Sequence, residues 1–175
     1  MTGLDPETES IMSICCYITD AQLQLKDEQG WENILHHDKE TLDRMDPWCV
    51  TTHGKTGLTA ACIESKTTHE EAAQSLLQYI KQYIPDRRRG LLAGNSVHHD
   101  KAFLSKGPYK AVMEHLSHRI LDVSSIKEAV KRWSPDEVVK GVPQKQLLHQ
   151  AREDILESIA EAKYYRDTCF AKLQS

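Results

Sequence analysis

The sequence has 175 residues, 39% hydrophobic and 27% charged, with a formal net charge of −4. That length suits one domain with its own core, and no apolar run approaches the roughly 20 residues that cross a bilayer. The acidic balance argues against a protein that coats long nucleic acid by counterion release, which needs many Lys and Arg along one face; a pocket for a very short oligonucleotide is compatible with it.

The chain opens on the turn "TGLD", and "ESIMSICCYITD" follows as an apolar run that reads as a buried strand. "AQLQL" alternates after a short turn, so residues 9–26 are expected to form an antiparallel hairpin. "WENILHH" is a third strand candidate, and "KETLDRM" reads as a short helix. "WCVTTHGKTGLTAACIES" reads as loop followed by helix. In "THEEAAQSLLQYIKQYI" the apolar positions Ala73, Leu76, Leu77, Ile80 and Ile84 fall at helical spacing. Thr68 and Glu71 there form a capping-box pattern, and Pro85 stops the helix.

"GLLAGNS" is a short strand ending in a turn, "HHDKAFLSK" starts a helix, and Pro108 opens another. "HRILDVSS" is a strand that ends in an N-cap, with "SIKEAVKRW" as the helix after it. "SPDEVVKGVPQKQ" reads as a polar loop. The last segment is a long amphipathic helix with Ile155, Ile159, Ala162 and Tyr165 on one stripe. Strands first, then strands alternating with helices, predict a mixed α/β sheet with helices on its faces. The five cysteines contain no C-x-x-C pair and read as reduced, mostly buried thiols.

Three stretches carry residues suited to chemistry. "GNSVHHDKAFL" places Asp100 just past a strand end, "HRILDVSS" places Arg119, Asp122 and Ser124 at another, and "HQAREDI" holds His149 and Asp154. Ligands of open α/β sheets gather at the carboxyl ends of strands. His149 and Asp154 are five residues apart, about 140° around one continuous helix. They meet at one site only if His149 lies on the loop before the helix. Each residue also has a plainer reading: Asp100 as an N-cap, Asp122 as an N-cap (preferred), His149 as a surface residue.

Taken together and in order, "MTGLDPETESIMSICCYITDAQLQL", "MDPWCVTTHGKTGL", "GNSVHHDKAFL", "HRILDVSSIKEAVKRW" and "HQAREDILESIAEAKYYRD" resemble the oligoribonucleases. These belong to the DEDDh branch of RNase H-like 3′→5′ exonucleases, and the likeness runs essentially end to end. It implies a single exonuclease domain over residues 1–175 that degrades very short RNA by two-metal hydrolysis, with Mg²⁺ or Mn²⁺ held by four carboxylates. By this likeness Asp100 and Asp154 are two of the ligands and His149 is the base. Leu4 and Trp48 would wedge the bases of a dinucleotide, with core packing as the alternative for Trp48. His53 matches a family histidine near the scissile end. Ser96, Arg119 and Ser124 would cap the 5′ phosphate and so measure substrate length. Short RNA and a second copy of the chain are the expected partners, with no membrane and no long duplex; an intracellular place, cytoplasmic or mitochondrial, is expected.

The likeness has departures. A Tyr that reaches over the partner's site in the family is His118 here, and a strand Glu is Ser13. The other two ligands lie in the pattern Asp-x-Glu-Met-Thr-Gly-Leu-Asp, and this sequence starts at that Met. The expectation is therefore a chain shortened at its N-terminus, without the family's central first strand, its metal binding weakened and its hydrolysis cut by orders of magnitude. Three functions stay open: a shortened form of an active enzyme, a non-catalytic binder of short oligonucleotides that dimerises, and an interaction module without ligand. Arg87, Arg88 and Arg89 read as a solvated loop, and His98 and His99 as surface or supporting residues, since Mg²⁺ prefers oxygen.

Overall fold

The computed structural model describes residues 1–144 and 151–170. Strand β1 (Ser13–Cys16) pairs antiparallel with β2 (Trp31–Ile34), with Ser13 opposite Ile34 and Cys16 opposite Trp31. This corrects the hairpin expected over residues 9–26, where "AQLQL" contributes only one isolated bridge, Thr19 to Leu25. The reason is local. The Asp20 carboxylate accepts from the backbone N–H groups of Gln22 and Gln24, each at 2.9 Å, and Leu23 turns to φ 60°. The chain curls into an Asx-type loop there before it can extend.

Helices α1 (Lys39–Asp43), α2 (Pro47–Lys55) and α3 (Leu58–Glu64) follow. Helix α2 replaces the loop read from the sequence. Asp46 caps it by accepting from the N–H groups of Trp48 and Cys49, and Pro47 occupies the first turn, where its missing N–H costs nothing. Helix α4 (His69–Tyr83) carries the predicted capping box and buries Ala72, Ala73, Leu76 and Ile80; it ends at the residue before Ile84 and Pro85, as the restriction on pre-proline backbone requires.

The second half is a parallel pair. Strand β3 (Leu92–Gly94) lies beside β4 (Ile120–Asp122), in register Leu92–Ile120 and Gly94–Asp122. Helices α5 (His98–Leu104) and α6 (Lys110–His115) connect them, with a 3₁₀ turn over Gly107–Tyr109 between the two helices. Helix α7 (Val123–Trp133) follows β4 directly. The polar loop expected next contains a short helix, α8 (Asp136–Lys140), with Asp136 and Glu137 in its first turn and Lys140 in its last, each at the favourable end of the helix dipole. Tyr164 OH donates to its Val138 carbonyl at 2.7 Å. Helix α9 (Ala151–Tyr165) continues into a π turn over Arg166–Phe170.

The predicted mixed α/β architecture stands, but its strands form two separate two-stranded sheets, β1–β2 and β3–β4. A mainly apolar cleft of about 550 Å³ lies between them, walled by Ser13 and Cys15 on one side, Leu92 and Gly94 on the other, and Ile155 and Ile159 of α9. Helix α9 holds the halves together: Arg152 donates to Tyr17 OH at 2.6 Å and faces Glu32 at 3.5 Å, while Glu161 takes a hydrogen bond from Asn95 beyond β3. Cys49 and Cys62 are buried, the other three cysteines are half-buried, and all five are free thiols.

Candidate functional site

Asp100 and Asp154 line the same cleft. They come from helices more than fifty residues apart in sequence, so the fold alone brings them together. Asp100 is not the N-cap of α5, a role that falls to Val97 without a side-chain bond; it is the third helical residue. Burial pushes its carboxyl above the ordinary range, opposed by its own backbone N–H, by His99 and by the α-amine of Met1. Burial in turn lowers the α-amine of Met1. Asp154 lies on α9, in the first turn of its described span. His149, the base implied by the family likeness, lies outside the described residues.

A carboxylate desolvated in this way is suited to a hard cation, and an all-oxygen pair is the donor set that Mg²⁺ or Mn²⁺ takes. Among the described residues no group of three or more His, Cys, Asp or Glu side chains is placed to hold a metal ion. Asp100 and Asp154 are the two carboxylates that line the cleft among the described residues.

Beside the carboxylates, a shelf of hydroxyls forms where β3 and β4 end. Ser96 adopts a left-handed backbone at φ 51°. Its N–H donates to Asp122 Oδ1 at 3.1 Å and to Ser124 Oγ at 3.0 Å, and the two serine hydroxyls meet at 3.2 Å. Asp122 also caps α7 by accepting from Ser124 and Ser125 N–H at 2.9 and 3.4 Å. The N-cap reading preferred for Asp122 thus holds, and the cap does a second job by fixing Ser96. Ser96 and Ser124 open onto a groove of about 440 Å³ that runs along α7 past Arg132 to Trp133. Arg119 is exposed and does not line this groove. His118 is exposed one residue earlier, and its carbonyl accepts from Lys101 Nζ at 2.8 Å.

Leu4, 73% exposed, and Trp48, 59% exposed, stand at the surface, so the core-packing alternative for Trp48 falls. The Trp48 and His53 rings meet edge to face, centroids 6.4 Å apart. His53 Nε2 lies 3.1 Å from the Met1 carbonyl, and Met1 also lines the carboxylate cleft. Met1 therefore joins the exposed aromatic edge to the acidic cleft. His98 Nδ1 is 3.4 Å from Asp122 Oδ2, a supporting contact and not a place in the cleft. Arg87, Arg88 and Arg89 lie in an exposed loop, with the Arg88 N–H donating to the His115 carbonyl at 2.6 Å.

Sequence reasoning missed Asn95 and Glu161. Glu161 is 1% exposed and accepts from Asn95 Nδ2 at 3.1 Å and Tyr165 OH at 2.8 Å, with Lys127 Nζ at 3.1 Å. Burial alone would raise its carboxyl, but these hydrogen bonds and the Lys127 charge hold it below the ordinary range. The network anchors the turn between β3 and Ser96 to α9, the helix that carries Asp154. A Glu on the apolar stripe of a predicted helix was the available signal, since a buried acid requires partners.

A model of the RNase_T exonuclease family matches residues 1–162. The chain is 44% identical to the human mitochondrial oligoribonuclease over 174 residues, covering 98% of this chain and 71% of that protein. It is 44% identical to the Neisseria meningitidis oligoribonuclease over 168 residues, 95% of this chain and 87% of that one. Against the Saccharomyces cerevisiae mitochondrial oligoribonuclease the identity is 42% over 173 residues, and the chain spans 64% of that relative's length. No helix among the described residues is long and apolar enough to cross a membrane.

Proposed function

Because this chain belongs to the RNase_T exonuclease family, with oligoribonucleases among its relatives, we propose that residues 1–175 form a single oligoribonuclease-like domain that takes RNA of two to a few nucleotides. The observation that carries the proposal is the meeting of Asp100 and Asp154 in one cleft, beside the hydroxyl shelf of Ser96 and Ser124. The carboxylates suit the 3′ end, where the bond is cut, and the shelf suits the 5′ phosphate. Exposed Trp48 and Leu4 supply stacking without hydrogen-bond readout, so no base preference is expected.

Exonucleases of this kind use divalent ions, and Asp100 and Asp154 would hold Mg²⁺ or Mn²⁺, which supplies neutralisation of the scissile phosphate and an acidified water. His149 accepts the proton of the attacking water, and His53 orients the 3′ end. Arg119 adds charge to the 5′ cap on swinging toward the shelf. The chain acts as a homodimer in which the partner subunit's His118 reaches over the site, and it works in the cytoplasm or a mitochondrion.

Asp100 and Asp154 supply two negative charges to such a centre, and loss of one well-placed electrostatic group costs about 10²–10³ in rate. The exposure of Leu4 and Trp48 also suits a second reading: a dimeric protein that binds short oligonucleotides without cutting them. The dinucleotide pApA separates these. Slow Mn²⁺-dependent release of pA, abolished in Asp154→Asn, supports the enzyme; saturable binding without release supports the binder. Neither binding nor release overturns both.

A further inference from the structure

The run Arg87, Arg88 and Arg89 is exposed and has no part in the site, yet its backbone is firmly held. Gly90, which follows it, is buried, and a Cβ there would come within 2.9 Å of Ile84 Cδ1 and 3.1 Å of Leu116 Cδ2. The Ser117 N–H donates to the Gly90 carbonyl at 2.8 Å, and His115 Nε2 donates to the Ile84 carbonyl at 2.8 Å. With the Arg88 bond to His115, these lay the loop alongside residues 115–119. Both segments then enter the parallel pair, where Leu92 stands beside Ile120. Arg119 therefore sits at the same end as the arginine run, and Lys101 Nζ joins it at the His118 carbonyl. Cations elsewhere on the surface find acids, as Lys39 finds Asp43 and Arg132 finds Glu128. Among the described residues, none of Arg87, Arg88, Arg89, Lys101 and Arg119 is in an ion pair. Asp86 is the one acid in the loop itself.

We propose that the arginine run, backed by Lys101 and Arg119, is an electrostatic guide that speeds the capture of short oligonucleotides. The inference rests on the oligoribonuclease-like reading and concerns how the substrate arrives. The strands β3 and β4, three residues each, put about 10 Å between the ridge and the ends where Ser96 and Ser124 stand. A substrate whose 5′ phosphate is capped at that shelf stops short of the arginine run, so the run acts through its field and not by contact. The chain as a whole is formally −4 and repels an anion at long range. Unpaired cations gathered on one face give that anion a side to approach by. A gap of about 10 Å equals the screening length at 0.1 M salt and is a third of it at 0.01 M. The guide is therefore strong in dilute salt and faint in concentrated salt.

The test follows pApA association with the full chain by stopped-flow tryptophan fluorescence, in EDTA so that nothing is cut. One variant combines Arg87→Gln, Arg88→Asn and Arg89→Gln; Asn tolerates the left-handed backbone that Arg88 adopts at φ 62°. A second, with Lys26→Gln, Lys66→Gln and Lys140→Gln, removes the same charge from other elements. The arginine variant should associate about fivefold to tenfold more slowly in about 10 mM salt and less than about twofold more slowly in about 150 mM, with dissociation unchanged. The single changes Arg87→Gln and Arg89→Gln should each show part of that drop. An unchanged association rate in dilute salt, an equal drop in the lysine variant, or an effect confined to dissociation would each overturn the guide. So would saturable binding of a hexaglutamate peptide that the arginine variant loses, which marks a docking site for an acidic protein segment. Failure of the wild type to bind pApA at all overturns the oligoribonuclease-like reading and the guide with it.

Discussion

Replacing Glu161 by Ala tests the physical account of the site's frame most sharply. Glu161 is 1% exposed and joins Asn95, Tyr165 and Lys127. Truncation leaves the Tyr165 hydroxyl, whose side chain is fully buried, and the Asn95 amide without their acceptor, at about 1–3 kcal/mol each. Lys127 is a third exposed and recovers water, so it adds little. With the small cavity left behind, the loss should be about 3–5 kcal/mol, as for other broken buried pairs. Glu161→Gln keeps the shape and one acceptor and should lose about 1–2 kcal/mol. For a chain of this size Glu161→Ala then melts about 6–20 °C lower. Because the Glu161 carboxyl is held below its ordinary value of 4.5 when folded, its contribution is present above that pH and fades as pH falls through the lowered value. The gap between wild type and Glu161→Gln should therefore narrow in acid. Urea titrations at pH 7 and in acid read both effects. A loss under about 1 kcal/mol for Glu161→Ala, at unchanged m-value, would refute the reasoning.

Other outcomes follow from single features. Thr68→Ala removes half of the α4 capping box and should cost about 1 kcal/mol in urea denaturation. His69, wedged between Ser10 and Tyr109, has its proton affinity lowered by burial and by His37. The unfolded chain binds that proton more readily, so stability should decline as pH drops below about 6.5, and His69→Gln should flatten that slope between pH 7 and 5.5. Trp48→Ala should leave the melting temperature within about 2 °C while weakening pApA binding about 5–150-fold, the range of one lost base stack; an unchanged affinity would remove Trp48 from the site.

Much of this was readable in the sequence where a local rule decides the outcome. Thr68 with Glu71, Asp122 before "VSS", and the helical stripe of α4 are signals completed within a few residues, and each became the element expected. Asp46–Pro47 is equally local, a cap followed by a first-turn proline, and it starts α2 where the sequence reads as loop. The hairpin failed differently. Alternation in "AQLQL" was real, but the partner of β1 is chosen by long-range packing: Trp31 packs on the Ile18, Leu76 and Ile80 cluster and Ile34 on that of Met12 and Leu42. The acidic pair was legible as two residues, Asp100 and Asp154, and their shared cleft only as an expectation from likeness. Asn95 and Glu161 escaped because their partners lie sixty-six residues apart, beyond any window of periodicity.

Helix α9 has a consequence for how the molecule comes apart. Its contacts to Tyr17 and Glu32 on one side and Asn95 on the other tie it to both pairs of strands. A two-stranded sheet alone is marginal in water. Release of α9 should thus raise amide exchange in β1 and β3 together, on the faces it covers. Asp154 rides on the same element. A change that loosens α9 should therefore displace Asp154 and weaken the tie between the two strand pairs together.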